Sequence, residues 1–231
     1  MYDKWSLDVL YSGFDDTKFQ SEFQKIDEYI EKFNALAASL GTKDDKTTIK
    51  EALQLREEYS SIINRLFTYC SLRQSVDTAD TDSVSYIGRL MQKDNATTKP
   101  ETIINKYLSK ISNLDEVIEK DAFLQEYSYY LHELQKCAKY LLNEDVEAAI
   151  AGMDISGGSA WSDLQGFLTS SVKVDYDGGE TTLSAIRNLA YDPDATIRKA
   201  AYEAELAAYD KIKDAIAYSL NSIKMQDITV C

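Results

Sequence analysis

An all-α fold, a multi-helix lobe with one small β-hairpin near residues 171–183, is predicted by three observations. Apolar residues recur at alternating spacings of three and four along most of the chain, the period of a helix with one buried face. Helix-breaking residues are scarce, with two prolines and nine glycines in 231 residues. Only the stretch from Val172 to Leu183 alternates with a period of two.

The first helix is expected after Asp15 and Asp16, whose carboxylates can accept the free amides of a first turn. Phe19, Phe23, Ile26, Ile30, Phe33, Ala37 and Leu40 form its stripe, and Gly41 follows as a left-handed cap. Thr48 and Glu51 have the spacing of a capping box, so a second helix is predicted from Thr48 to about Ser75, with Leu55, Tyr59, Ile62, Leu66 and Phe67 buried. The polar segment Asp77 to Asp82 supplies cap candidates for a shorter third helix through Val84, Ile87, Leu90 and Met91. That helix is predicted to end before Pro100, because proline pushes the preceding residue out of the helical region.

Helical spacing continues through Ile103, Ile104, Tyr107, Leu108 and Ile111, then through Phe123, Tyr127, Tyr130, Leu131 and Leu134. Asn143 is the expected cap of a helix whose first turn carries Glu144 and Asp145, acids that favour the positive end of a helix dipole. Ser156-Gly157-Gly158-Ser159 reads as a flexible link into a helix bearing Trp161, Leu164 and Phe167. Val172, Val174 and Tyr176, the turn Asp177-Gly178-Gly179, and Thr181 to Leu183 read as the hairpin. The last helix is signalled by Asp192-Pro193 and carries Ile197, Ala201, Ala204, Ala208, Ile212, Ala215 and Leu220. Two segments are predicted: an N-terminal helical subdomain at 1–115, and a second helical segment with the hairpin at 116–231.

The 25 basic and 39 acidic side chains give a formal charge of −14, which repels a phosphate backbone, so nucleic acid is not an expected partner. No apolar run approaches the roughly 20 residues that span a bilayer, and Met1–Trp5 lacks the basic and apolar regions of a signal peptide. No membrane partner and a cytoplasmic location are expected. Cys70, Cys137 and Cys231 form no C-x-x-C pair and are expected to be reduced and mostly buried.

His132-Glu133-Leu134-Gln135-Lys136 begins like the zinc-peptidase motif H-E-x-x-H and fails where the second imidazole is needed, because a lysine cation repels the metal. His132 is the single histidine of the chain, so no two-histidine zinc site is available and a Ser-His-Asp or Cys-His arrangement has one candidate base. His132 is read as an ordinary, partly exposed helix residue. No catalytic, cofactor-binding or metal residue is assigned. Gly157-Gly158 and Gly178-Gly179 lack the lysine and context of a phosphate loop and read as turns. Tyr127, Tyr129 and Tyr130 are read as helix packing, with a peptide groove as the alternative.

Several strings nevertheless occur together in a distinctive order: Tyr130-Leu131-His132-Glu133-Leu134, then Leu142-Asn143-Glu144-Asp145 with Glu147, then Gly158-Ser159-Ala160-Trp161 with Leu164. Thr182-Leu183, Arg198, Ala201-Tyr202-Glu203-Ala204, Tyr209 and Leu220-Asn221-Ser222-Ile223-Lys224 follow, and the opening Trp5-Ser6-Leu7 with Leu10-Tyr11 precedes them. The set resembles the N-terminal region of oligoendopeptidase F, a family of mainly helical zinc endopeptidases of the thimet oligopeptidase type. The resemblance implies a non-catalytic lobe forming part of a substrate-channel wall, with zinc and the H-E-x-x-H helix in a missing C-terminal catalytic domain. The implied partners are that domain and short peptides, together with self-association through exposed apolar surface. None of the family's metal or catalytic residues falls on a position of this chain. The last helix reaches Cys231 without a capping glycine or polar tail, so the chain is expected to be cut short there. The alternative is a stand-alone helical scaffold that binds a peptide or protein without enzymatic activity.

Overall fold

The structure, a computed structural model, describes residues 6–77 and 80–230. Trp5, Thr78, Ala79 and Cys231, on which parts of the sequence reading fall, lie outside the described residues. The predicted fold class is observed: helices dominate, and the only sheet among the described residues is one antiparallel strand pair. The chain divides into two compact units, Met1–Gly152 and Met153–Cys231.

Three long helices carry the first unit: α1 (Thr17–Ala38), α2 (Asp45–Val76) and α3 (Thr81–Ser109), each packed against the other two. Asp16 caps α1 through its carboxylate, which accepts from the Lys18 amide at 2.7 Å. The buried stripe includes the expected Phe19, Phe23, Ile26 and Phe33, and adds Tyr29 and Leu36, while Ile30, Ala37 and Leu40 sit half-buried at its edge. Gly41 is left-handed, with φ +79°, in the turn closed by the Thr42 amide on the Ser39 carbonyl.

The start of α2 differs from the expected Thr48. Asp44 caps it by accepting from the Thr47 amide at 3.0 Å, and Thr48 lies inside the helix with its hydroxyl donating to the Asp44 carbonyl. Glu51, freed from a capping role, pairs with Lys43 at 2.6 Å. An aspartate one turn upstream therefore took the cap, and the buried face moved to Ile49, Ala52, Leu53, Tyr59, Ile63, Leu66, Tyr69 and Cys70.

The third helix does not end before Pro100; it runs through it to Ser109. Proline inside a helix costs about 3 kcal/mol through a lost hydrogen bond and a ring clash. Burial on both sides offsets this, since Leu90, Thr97, Pro100 itself, Ile104 and Leu108 lie in the core. Polar ties bracket the proline as well. The Tyr59 hydroxyl donates to Asp94 at 2.6 Å, and Arg56 reaches Glu101 at 3.3 Å and Asn105 at 3.2 Å.

Short helices complete the unit: α4 (Leu114–Glu119), α5 (Ala122–Glu126) and α6 (Ser128–Cys137), which bury Leu114, Ile118, Leu124 and Leu131. Asp121 caps α5 and is held by Lys46 and Lys50, both at 3.0 Å. Asn143 precedes α7 (Glu144–Ser156) and accepts from the Asp145 amide at 2.9 Å, as the sequence suggested.

The second unit contains α8 (Gly158–Ser171), β1 (Lys173–Tyr176), β2 (Gly179–Thr182), α9 (Leu183–Asn188) and the 36-residue α10 (Ala195–Val230). Positive φ at both Asp177 (+51°) and Gly178 (+76°) makes a type I′ turn, whose twist matches that of the strands. Val174, Leu183, Ile186, Ala201, Ala208 and Ile212 form a small core, in which alanines let the hairpin and α9 approach α10 closely. Leu220, expected on the buried face, is 54% exposed, because beyond Ile212 the helix buries only Ser219.

Truncating the fully buried Phe19 to alanine is expected to destabilise the chain by about 3–5 kcal/mol. The same change at Tyr129, which is 78% exposed, is expected to stay within about 0.5 kcal/mol. Urea denaturation of both variants measures the difference.

Candidate functional site

His132 lies on α6 with both ring nitrogens committed. Nδ1 faces the Ser128 backbone carbonyl at 2.6 Å, and Nε2 faces the Asp115 carboxylate of α4 at 2.8 Å. Both partners are acceptors, so the ring is best satisfied as a two-donor imidazolium, and the Asp115 hydrogen bond followed by the Ser128 carbonyl raises its pKa above the usual histidine value. Glu133 bonds Lys136 at 2.6 Å instead of aiming at the imidazole. The string that begins like a zinc motif is thus a tie between two short helices. Its donor set does not fit zinc, which needs a free imidazole lone pair, and among the described residues no group of three or more His, Cys, Asp or Glu is placed to hold a metal ion.

The tyrosines separate. Tyr127 donates to Glu57 and packs on Phe123, Tyr130 lies under the Arg56 guanidinium at 5.6 Å, and Tyr129 projects into solvent. Two of the three are packing residues, in line with the first reading. Cys70 is buried, and burial pushes its thiol pKa up to about 12, whereas Cys137 is exposed; both are free thiols.

Several buried polar groups elsewhere in the first unit satisfy one another; among the described residues the buried Asn95 Oδ1 is the exception, with no hydrogen-bond partner. Burial raises the Glu101 pKa despite Arg56 beside it, and burial followed by the Asp94 hydrogen bond raises that of the Tyr59 phenol. Arg73, at the side of a cleft lined by Leu7, Leu72 and Val76, bonds Asp80 at 3.1 Å and stacks on Phe14 at 4.6 Å. These groups join helices; none is free to activate a water or a nucleophile.

In the second unit the expected flexible link is a fixed joint. Gln226 of α10 accepts from the Gly158 amide at 2.6 Å and donates to Asp154 at 2.6 Å, while Ser159 bonds the other oxygen of Asp154 at 2.8 Å. A Cβ on Gly157 would stand 2.1 Å from the Gln226 amide oxygen and 3.0 Å from the Met153 carbonyl, so any side chain there would force Gln226 out of this joint. The sequence signal was the Gly-Gly pair, but the partner lies 68 positions away and nothing local pointed to it.

Apolar residues remain uncovered on the same elements. No residue of α8 is fully buried, and Phe167, Tyr202, Tyr218, Leu220, Met225 and Ile228 are exposed. Five of these six lie on α10, and exposed apolar residues also occur elsewhere, at Val76, Tyr129 and Tyr191 among others, as is ordinary for a protein surface.

A family model described as Oligopeptidase F matches residues 111–173. The chain is similar to Oligopeptidase PepF of Bacillus subtilis (strain 168), 25% identical over 237 aligned positions that cover 97% of this chain and 34% of that protein. Among solved structures it is similar to the crystal structure of oligoendopeptidase-F from Enterococcus faecium, with a TM-score of 0.74 at 16% identity, covering 90% of this chain and 42% of that one. The chain therefore spans about one third of the length of the curated relative it matches, and the resemblance to the N-terminal region of this family is borne out.

The raised His132 pKa carries a sign. Its contribution to stability is fully present below the unfolded value near 6.5 and is lost as pH rises through the higher folded value. An NMR titration of the ring is expected to place its midpoint above the model-peptide value, and Asp115→Asn to bring it down. Replacing Gln226 with alanine is expected to cost about 1 kcal/mol, read as faster amide exchange at Gly158.

Proposed function

We propose that this chain, related in sequence and fold to the N-terminal region of oligoendopeptidase F, is the non-catalytic N-terminal lobe of a zinc metalloendopeptidase of that family and forms part of its substrate-channel wall. The observation that carries the proposal is the pairing of nearly complete coverage of this chain with coverage of only a third of its longer relative. The order of the strings from Tyr130 to Lys224 supports it, since the resemblance spreads over both units. The absence of a second imidazole beside His132 supports it too: the reaction would belong to the remainder of the longer protein, where zinc would polarise the scissile carbonyl and activate water.

In this reading the lobe does no bond chemistry. It narrows the approach to the metal, so that short unfolded peptides enter and folded proteins stay out. The uncovered apolar residues of α8 and α10 supply a docking surface for the catalytic domain. A cytoplasmic location belongs to the same proposal. Those exposed residues also suit a stand-alone helical scaffold that binds a partner, and the two readings separate once the longer protein is in hand.

The purified chain is expected to hold far less than one zinc per molecule and to leave an internally quenched peptide intact. Metal analysis and a fluorescence assay check both. Chelator-sensitive turnover by the chain alone would contradict the proposal.

A further inference from the structure

The two edges of the hairpin in the second unit differ in what covers them. With a two-residue turn, Tyr176 and Gly179 form the hydrogen-bonded pair next to the turn, and Val174 with Thr181 form the next one. The intervening pair Asp175 and Glu180, and the pair Lys173 and Thr182, therefore aim their peptide groups away from the hairpin. On the β1 side that edge is partly covered: Lys211 of α10 donates to the Lys173 carbonyl at 2.9 Å and to the Asp175 carboxylate at 2.8 Å.

The β2 side has no such cover. Gly179, Glu180 and Thr182 are exposed, and the Thr182 hydroxyl is turned to the Ala185 amide at the start of α9, leaving the peptide groups of Glu180 and the Thr182 amide on the open side. Among the described residues no hydrogen bond or ion pair engages the Glu180 side chain. Glu180 also stands directly opposite Asp175, a like-charge cross-strand pair that opposes hairpin formation. Lys211 relieves Asp175 but not Glu180. A shallow open cleft runs past the turn, lined by Asp175, Asp177 and Glu180.

From this edge and its charge we infer that β2 accepts an extended peptide as a third strand, and that it favours a peptide bearing a basic side chain opposite Glu180. The backbone of the incoming strand satisfies the peptide groups of Glu180 and the Thr182 amide, and its cation supplies the charge that the Asp175–Glu180 pair lacks. A second copy of this chain is a poorer occupant, because it brings no basic side chain on its own β2 edge to face Glu180. The inference concerns the second unit alone and does not rest on the lobe reading.

The test follows backbone amide shifts of the whole chain by NMR as a capped heptapeptide of alternating lysine and threonine is added. Shifts centred on Glu180 and Thr182 are expected, with at least tenfold weaker binding when glutamate replaces lysine. N-methylation of the peptide's central amides should abolish them. Glu180→Lys is expected to reverse the charge preference. Glu180→Pro, which removes an outward amide without touching the β1 ladder, is expected to weaken binding at least tenfold; if it fails to fold, the N-methylated peptide still decides. Four outcomes would overturn the inference: no shift at millimolar peptide, shifts scattered over the surface, shifts that survive N-methylation, or shifts that vary with protein concentration before peptide is added.

Discussion

A cage of aromatic rings holds the first unit together. Tyr11 meets Phe19 edge-on at 5.1 Å and Tyr69 at 5.2 Å, and Tyr86 stacks on Phe14 at 4.8 Å while meeting Phe19 edge-on at 5.0 Å. One cluster thereby joins the segment before α1 to each of the three long helices. Each ring pair contributes roughly 0.5–1.5 kcal/mol beyond the area it buries. The cage is also polar at its rim, where the Tyr11 hydroxyl donates to Glu22, Arg65 reaches that same carboxylate at 3.2 Å, and the Gln20 amide bonds both the Phe14 carbonyl and the Tyr86 hydroxyl. Burial, with Glu22 beside it, drives the Tyr11 phenol well above its usual pKa, so the ring stays neutral and in place. With the helices fixed, the proline in α3 and the short helices α4 to α6 are tolerated.

The second unit is built on a different balance. Its core is small and includes two alanines, and its order rests instead on polar joints such as the Gln226 link to Gly158 and Asp154 and the Lys211 link to β1. Long apolar side chains of α10, with Phe167 of α8, stay exposed. In the first unit, by contrast, the tyrosines and charged side chains with shifted pKa values have hydrogen-bonding partners, and the single histidine is spent on Asp115 and a backbone carbonyl.

Where a local pattern determined a local structure, the sequence was readable: the Phe19 to Phe33 stripe, the Asn143 cap and the Asp177-Gly178 turn were each visible in a few neighbouring residues. Where competition or distance decided, it was not. Asp44 won the α2 cap from Thr48 by lying one turn earlier, Pro100 was overruled by core residues flanking it, and the Gly157 joint depends on a glutamine far along the chain. The short helices α4, α5 and α9 are too brief to show a period. For function, the H-E-L-Q-K string was informative for what it lacks, and the family resemblance came from the order of many weak strings rather than from one motif. The free β2 edge was not foreseen, because alternation predicts a strand but not which of its peptide groups stay unpaired.

In the lobe reading proposed above, bond chemistry lies outside these 231 residues. Reading the gene or transcript past the codon for Cys231 tests it most directly. An open frame that encodes an H-E-x-x-H helix and a further glutamate ligand is expected. A stop codon immediately after Cys231 would contradict it.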